Sequence, residues 1–226
     1  MQAVIFDMDG VLIDVSGSYR LTIKEVIYER TGVNINDELI QRYKNRGGVN
    51  DDWDLTDRIL ADMKLKAPKK DVAETFQKKY IGTNFTGNIK NEKLLIKKEI
   101  LERINNKYKT AIVTGRPRKE ALYTLNKFEI VEYFDLLIAL EDIPSNKKKP
   151  HPYALNLALD RLGVIPQEAI YAGDCVDDMV AAARADIYPL GITTSYISPK
   201  IQGKILTERG AKTILDSINR IMEVLE

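Results

Sequence analysis

Ala3-Val4-Ile5-Phe6-Asp7-Met8-Asp9-Gly10-Val11-Leu12 is the stretch from which the fold can be read. A short apolar run meets an acid, then a second acid two residues later, then a glycine. That order describes a buried strand feeding a loop. Two other runs have the same form. Thr110 to Val113 leads into Thr114-Gly115-Arg116, and Ala169 to Ala172 leads into Gly173-Asp174. Leu136 to Leu140 and Tyr188 to Ile192 read as further strands. Helical spacing of apolar residues appears over Lys93 to Asn106, Pro152 to Leu162, Asp177 to Ala185 and Asp216 to Leu225. Strands alternating with helices predict an α/β chain, a Rossmann-like parallel sheet covered on both faces.

The segment 16–87 breaks that alternation. It has no strand run, and Ser18 to Arg30, Asn36 to Tyr43, Asp51 to Met63 and Pro68 to Tyr80 all read as helices. Pro68 suits a first helical turn. The expected organisation is a core of residues 1–15 and 88–226 with an α-helical cap inserted over 16–87. Asp14 to Gly17 and Gly82 to Asn88 are rich in Gly, Asn, Ser and Thr, as hinges are.

Composition excludes several classes. In 226 residues, 44% are hydrophobic, enough for a real core and too many for a disordered chain. Lys+Arg number 34 against 33 Asp+Glu, a net charge of +1, which gives no sign of a nucleic-acid or anionic-membrane partner. One Cys and one His allow neither a disulfide nor a zinc cluster. No run of 18 apolar residues occurs, and Met1-Gln2-Ala3 carries no basic leader, so the expectation is a cytoplasmic protein of unassigned oligomeric state.

The acids and hydroxyls at the strand ends are the candidates for chemistry, because open α/β sheets bind ligands beyond their carboxyl ends. Asp7 and Asp9 are placed to divide labour, one attacking phosphorus and one moving protons. The bland alternative is a pair of solvated loop acids. Thr114 offers a hydroxyl and Gly115 an unhindered N–H for a phosphate oxygen; a plain strand-to-helix turn uses the same residues. Lys149, just before a helix, can reach a phosphate as a point charge, while Lys147 and Lys148 read as solvated. His151, flanked by prolines, reads as a rigid loop residue. Asp174 can complete a cation site with Asp7, or, with Asp177 and Asp178, merely favour a helix N-terminus. Cys175 reads as a small buried side chain.

Taken in order, Ile5-Phe6-Asp7-Met8-Asp9-Gly10, Ile112-Val113-Thr114, Lys149-Pro150 and Ala172-Gly173-Asp174 through Asp178 resemble the motifs of the haloacid dehalogenase-like phosphohydrolase superfamily. The helical insertion after the first motif is similar to the cap of its phosphoglycolate phosphatase and β-phosphoglucomutase subgroup. The resemblance covers nearly the whole chain. It implies that Asp7 is the nucleophile and becomes an aspartyl-phosphate, and that Asp9 protonates the leaving alcohol and then activates water. It implies Mg²⁺ held by the Asp7 carboxylate, the Asp9 main-chain carbonyl and Asp174, with Asp178 as a supporting acid, and a phosphoryl group bound by Thr114, Gly115 and Lys149. An acid at position 9 points to phosphomonoester chemistry, because family members that make ester intermediates lack it. Departures from the family pattern are Cys175 and Val15, where Ser or Thr is common.

The resemblance also puts substrate choice in the cap, on Arg46, Asn50, Asp51 and Trp53, with Arg116 from the core. Each has a bland reading as well, surface cation for Arg46 and cap core for Trp53. The expected activity is a Mg²⁺-dependent phosphatase acting on a small phosphorylated metabolite. The alternatives are a phosphomutase of the β-phosphoglucomutase kind, a phospho-acceptor signalling domain and a non-catalytic binding protein.

Overall fold

The computed structural model describes residues 1–48, 51–65 and 68–226. Its centre is the first apolar run. Strand β1 (Ala3–Phe6) is buried along its whole length and pairs in parallel on both sides. On one side lie β4 (Lys109–Val113) and β5 (Leu136–Ile138); on the other lie β6 (Ala169–Gly173), β7 (Tyr188–Ile192) and β8 (Thr213–Leu215). The order is β5-β4-β1-β6-β7-β8, and every pairing is parallel. The chain leaves β1 toward β4 and β5, then crosses back to β6, so strand order reverses around β1. Ligands of open α/β sheets bind at such a reversal.

Register brings the motifs level. Phe6 stands opposite Ile112 on β4 and Ala172 on β6, so Asp7, Thr114 and Gly173-Asp174 leave the sheet at one edge. Side-chain alternation sorts the two faces. Ala3, Ile5, Ala111, Val113 and Tyr171 share a core cluster with Leu155, Ala158 and Leu159 of α7 (Tyr153–Leu162) and with Ala181 and Ala182 of α8 (Val176–Arg184). Phe6 belongs to the opposite face and meets Phe134 edge-on at 6.0 Å between ring centres. Helix α5 (Lys98–Asn105) packs on β4, and α9 (Pro199–Glu208) packs on β7 and β8.

Two compact units divide the chain: Met1–Ile13 with Leu94–Glu226, and Asp14–Lys93. The second unit contains α1 (Tyr19–Thr31), α2 (Asp37–Arg46), α3 (Asp52–Asp62) and α4 (Lys69–Tyr80). Tyr19 stacks on Tyr80 at 4.1 Å between ring centres and on Phe76 at 6.0 Å. The Ser18 and Tyr80 hydroxyls both donate to Glu92 Oε1 at 3.1 Å, which supplies a buried carboxylate with partners. Arg20, also buried, is held by Gln41 and by the Asp37 carbonyl. The Gly82 to Asn88 stretch lies inside this unit as a tight turn: a Cβ on Gly87 would stand 2.5 Å from the carbonyls of Lys79 and Tyr80.

Several elements differ from the sequence expectation. Lys93 and Leu94 form a short strand, β3, paired with β2 (Ile13–Asp14), so the helix expected from Lys93 begins only at Lys98. Strand β5 ends at Ile138, because Asp142 turns back to accept from the Ala139 N–H at 2.9 Å. Asp216 to Leu225 is a 3₁₀ turn (Ile218–Arg220) and a four-residue helix, α10 (Met222–Leu225). Helix α6 (Arg118–Lys127), α9 and β8 were not anticipated. No helix of the described residues is long and apolar enough to cross a membrane.

A buried central strand makes a direct stability prediction. Ile5 is 0% exposed, and Ile5→Ala is expected to lower unfolding free energy by about 2–5 kcal/mol in urea titration. An unchanged midpoint would contradict the placement of β1 at the centre of the sheet.

Candidate active site

Asp7 follows β1 directly, and its N–H still donates to the Ala172 carbonyl at 2.8 Å. The ladder therefore fixes the backbone of the first acid. The chain then turns sharply: Gly10 has φ of +76°, and its N–H donates to the Ile13 carbonyl at 2.8 Å. Glycine is required here for two reasons. The left-handed φ favours it, and a Cβ would lie 2.2 Å from Asp174 Oδ2. The carboxylate of the fourth motif thus packs on the backbone of the first. Gly173 does the same for Asp178, whose Cβ would stand 2.3 Å from an added methyl.

Lys149 is the centre of this region. Its side chain is 2% exposed, and its Nζ donates to Asp7 Oδ1 at 2.7 Å, to Asp178 Oδ1 at 2.7 Å and to the Tyr171 hydroxyl at 3.0 Å. An ammonium has three donors, and all three are placed. Asp178 is equally occupied. Its Oδ1 also accepts from the Tyr171 hydroxyl at 2.9 Å, and its Oδ2 accepts from the Cys175 N–H at 3.1 Å and from the thiol at 3.0 Å. The Cys175 N–H bond is half of a capping box that starts α8. Asp178 therefore acts on Lys149 and on the α8 terminus. With both oxygens so engaged, it is a weaker candidate for a cation ligand than Asp174.

Charge and burial set the protonation of this cluster. Burial works against the Lys149 cation, but Asp178 and Asp7 outweigh it and hold the ammonium well above the ordinary lysine range. Burial also opposes the Asp178 anion, yet Lys149, the Cys175 thiol and the Tyr171 hydroxyl together keep that carboxyl below its usual range. Asp7 differs. Burial pushes its carboxyl up to about 7, with Lys149 pulling down and Asp178 and Asp9 adding to the rise. Burial, then Asp178 and Asp174, push the Cys175 thiol well up, so it stays protonated.

Asp9 has a separate partner. Arg116 donates through Nε to Asp9 Oδ1 at 2.7 Å and through Nη2 to the same oxygen. The arginine side chain is 1% exposed and the Asp9 side chain 23%. Arg116 was expected to face a substrate; instead its guanidinium is buried against Asp9 and Thr124. Thr114 is also buried, and its hydroxyl accepts from the Arg116 N–H at 3.1 Å. A hydroxyl that accepts one bond still has a proton to give. Gly115 beside it is half-buried.

The donor set suits a hard cation. Asp7, Asp174 and main-chain oxygens are the hard ligands that Mg²⁺ takes. Among the described residues, the side chains whose ligand atoms gather within 4.8 Å are Asp174, Cys175 and Asp178. The protonated thiol is the wrong ligand for such an ion, which leaves Asp174 as the member of that trio aimed at the first motif.

The candidates in the second unit have local roles. Asp51 caps α3 by accepting from the Trp53 N–H at 3.0 Å. Arg46 lies over the Tyr43 ring at 4.6 Å and pairs with Asp62 at 3.7 Å, with 56% of its side chain exposed. Trp53 is half-buried, and among the described residues no acceptor meets its Nε1–H. Asn50 lies outside the described residues. His151 is exposed, and its Nδ1 accepts from the Tyr153 N–H at 3.0 Å, which suits a helix start. Tyr171 and Thr124 went unnoticed in the sequence. The only available signal for Tyr171 was a tyrosine inside an otherwise aliphatic strand.

Comparison with known proteins gives the family and the fold. The family model for haloacid dehalogenase-like hydrolases matches residues 4–192. A phosphorylated carbohydrates phosphatase of Thermotoga maritima is 30% identical over the full length of both chains. An imidazoleglycerol-phosphate dehydratase of Phytophthora nicotianae is 35% identical over 95% of this chain, which spans 50% of that protein's length. Among solved structures, a haloacid dehalogenase-like protein of Agrobacterium tumefaciens superposes with a TM-score of 0.80 at 19% identity, over 100% of this chain and 97% of that one, and so shares the fold.

The buried triad gives a second prediction. Tyr171→Phe removes a 0% exposed hydroxyl and leaves Lys149 and Asp178 each one partner short. The expected loss is about 1–3 kcal/mol in urea denaturation, against no measurable change for Tyr28→Phe, where the ring is 53% exposed. Equal midpoints for the two variants would count against the triad.

Proposed function

The chain belongs to the haloacid dehalogenase-like hydrolases, and from that membership we propose a Mg²⁺-dependent phosphatase that hydrolyses small phosphomonoesters through an aspartyl-phosphate on Asp7. The observation that carries the proposal is the buried contact of Lys149 with Asp7, at 2.7 Å, beside a second carboxylate held by its own cation. The chain has a nucleophile, a proton carrier and phosphoryl-binding groups at one sheet edge.

In the first step an Asp7 carboxylate oxygen attacks phosphorus. The ester P–O bond breaks, its electron pair goes to the leaving oxygen, and Asp9 gives that oxygen its proton. In the second step a water oxygen attacks the same phosphorus and Asp9 takes the water's proton. The Asp7–phosphorus bond breaks, and its electrons return to the carboxylate. The sum is alcohol plus phosphate. Lys149 and the Thr114 hydroxyl, with the Gly115 N–H, neutralise and orient the phosphoryl oxygens. Asp178 and Tyr171 hold Lys149. Asp7, Asp174 and the Asp9 carbonyl would hold Mg²⁺, which when bound supplies positive charge to the phosphoryl oxygens.

We assign substrate choice to the helical insertion as a cap, on Arg46, Asn50, Asp51 and Trp53. Their polarity suits a hydroxylated or charged leaving group. The carbohydrate phosphatase of Thermotoga maritima supports sugar phosphates as a substrate class. The relative named for imidazoleglycerol phosphate adds imidazole-bearing esters to the set worth assaying.

Phosphate release from p-nitrophenyl phosphate, phosphoglycolate, histidinol phosphate, nucleotides and hexose phosphates tests the reading. The expected result is release that stops with EDTA, returns with Mg²⁺, and falls more than about 10³-fold in Asp7→Asn. Isomerisation of a hexose phosphate with little free phosphate would place the chain with the mutases instead. Release that survives Asp7→Asn would remove Asp7 as nucleophile.

A further inference from the structure

The reaction outlined above gives no role to Arg116, a buried charge of the site unit. Arg116 is 1% exposed on its side chain, and Asp9, its partner, is the more accessible member of the pair at 23%. The arginine is fixed at several points. Its N–H donates to the Thr114 hydroxyl at 3.1 Å, its carbonyl accepts from the Leu140 N–H at 2.9 Å, and its Nη1 donates to the Thr124 hydroxyl at 3.2 Å from α6. Backbone and guanidinium are thus both anchored in the core before Asp9 is considered.

The contact with Asp9 is unusual in form. An arginine fork commonly meets the two oxygens of a carboxylate side by side. Here Nε and Nη2 both converge on Oδ1. Among the described residues, no hydrogen bond reaches Asp9 Oδ2. One oxygen is tied to the rigid core, and the other is outside the fork's hydrogen bonds.

We propose that Arg116 is a positioning residue for Asp9, holding Oδ1 so that Oδ2 alone exchanges protons with the leaving oxygen and with water. The inference rests on the phosphatase reading. The physical reason is geometric. A short aspartate rotates freely about two bonds at a strand end, and a proton carrier off its line by an ångström loses most of its effect. The guanidinium removes that freedom at one oxygen without covering the other. Lysine would keep the charge but not the fork.

The test uses leaving groups. p-Nitrophenolate departs as an anion and needs little help from an acid, whereas an alkoxide must be protonated as it leaves. kcat/KM reports only the steps up to departure, so it isolates the acid role. We expect Arg116→Ala to lower kcat/KM about 10²-fold on an alkyl phosphate that the wild type hydrolyses, and only a few-fold on p-nitrophenyl phosphate. Arg116→Lys should fall between Arg116→Ala and the wild type, and Asp9→Asn should show the same selectivity more strongly. Thr124→Val keeps the guanidinium and removes one anchor. It should show the same selectivity in weaker form, and it serves as the test if the Arg116 variants do not fold. Equal losses on both esters, or no loss, would overturn the inference and leave the phosphatase reading standing. Absence of phosphate release by the wild type from any ester would overturn both.

Discussion

Desolvating an ammonium ion costs several kcal/mol, and a carboxylate likewise, so a buried pair persists only where every donor and acceptor is matched. Lys149 meets that condition with Asp7, Asp178 and the Tyr171 hydroxyl. The rest of the site depends on this match. It ties the loop before α7 to the ends of β1 and β6 and to the start of α8. It also places a cation against the first acid. Removing any one of the four groups would leave another buried and short of a partner, which is more damaging than losing the pair together.

The sheet makes that match possible. β1 lies between β4 and β6 with Phe6 level with Ile112 and Ala172, so three loops open at one height. Two close approaches then set the acids. Asp174 packs where Gly10 has no Cβ, and Asp178 packs where Gly173 has none. These glycines act through the space they leave as much as through their backbone freedom.

The two acids of the first motif have different surroundings. Asp7 is buried against Lys149, and its carboxyl is pushed up to about 7 by burial. Asp9 is partly exposed and faces Arg116. Neighbouring carboxylates in unlike environments are a common way for one site to host distinct chemical roles. Lys149 meets the first of these acids and Arg116 the second, so the two carboxylates have different cationic partners. The arrangement also accounts for Arg116, whose burial leaves it directed at Asp9 rather than at solvent.

Much of this was legible in the sequence because strand burial leaves a local mark. A parallel strand covered on both faces must be apolar throughout, and the acid that ends it stands out, so β1, β4, β6 and their loop residues could be read directly. The parallel α/β class and the family followed from the order of those marks. Other elements left no such mark. Lys93 and Leu94 have helical neighbours but pair with Ile13 and Asp14, because strand pairing is set by a partner about eighty positions away. Tyr171 looked like one more apolar strand residue, and Arg116 like a substrate-facing cation. Their roles come from Asp178, Lys149 and Asp9, which lie far away along the chain or on another element. Sequence determined what each strand end carries, because burial and turn chemistry act locally. Only the tertiary structure decided which cation faces which acid, because charge pairing depends on distance in space and not on separation along the chain.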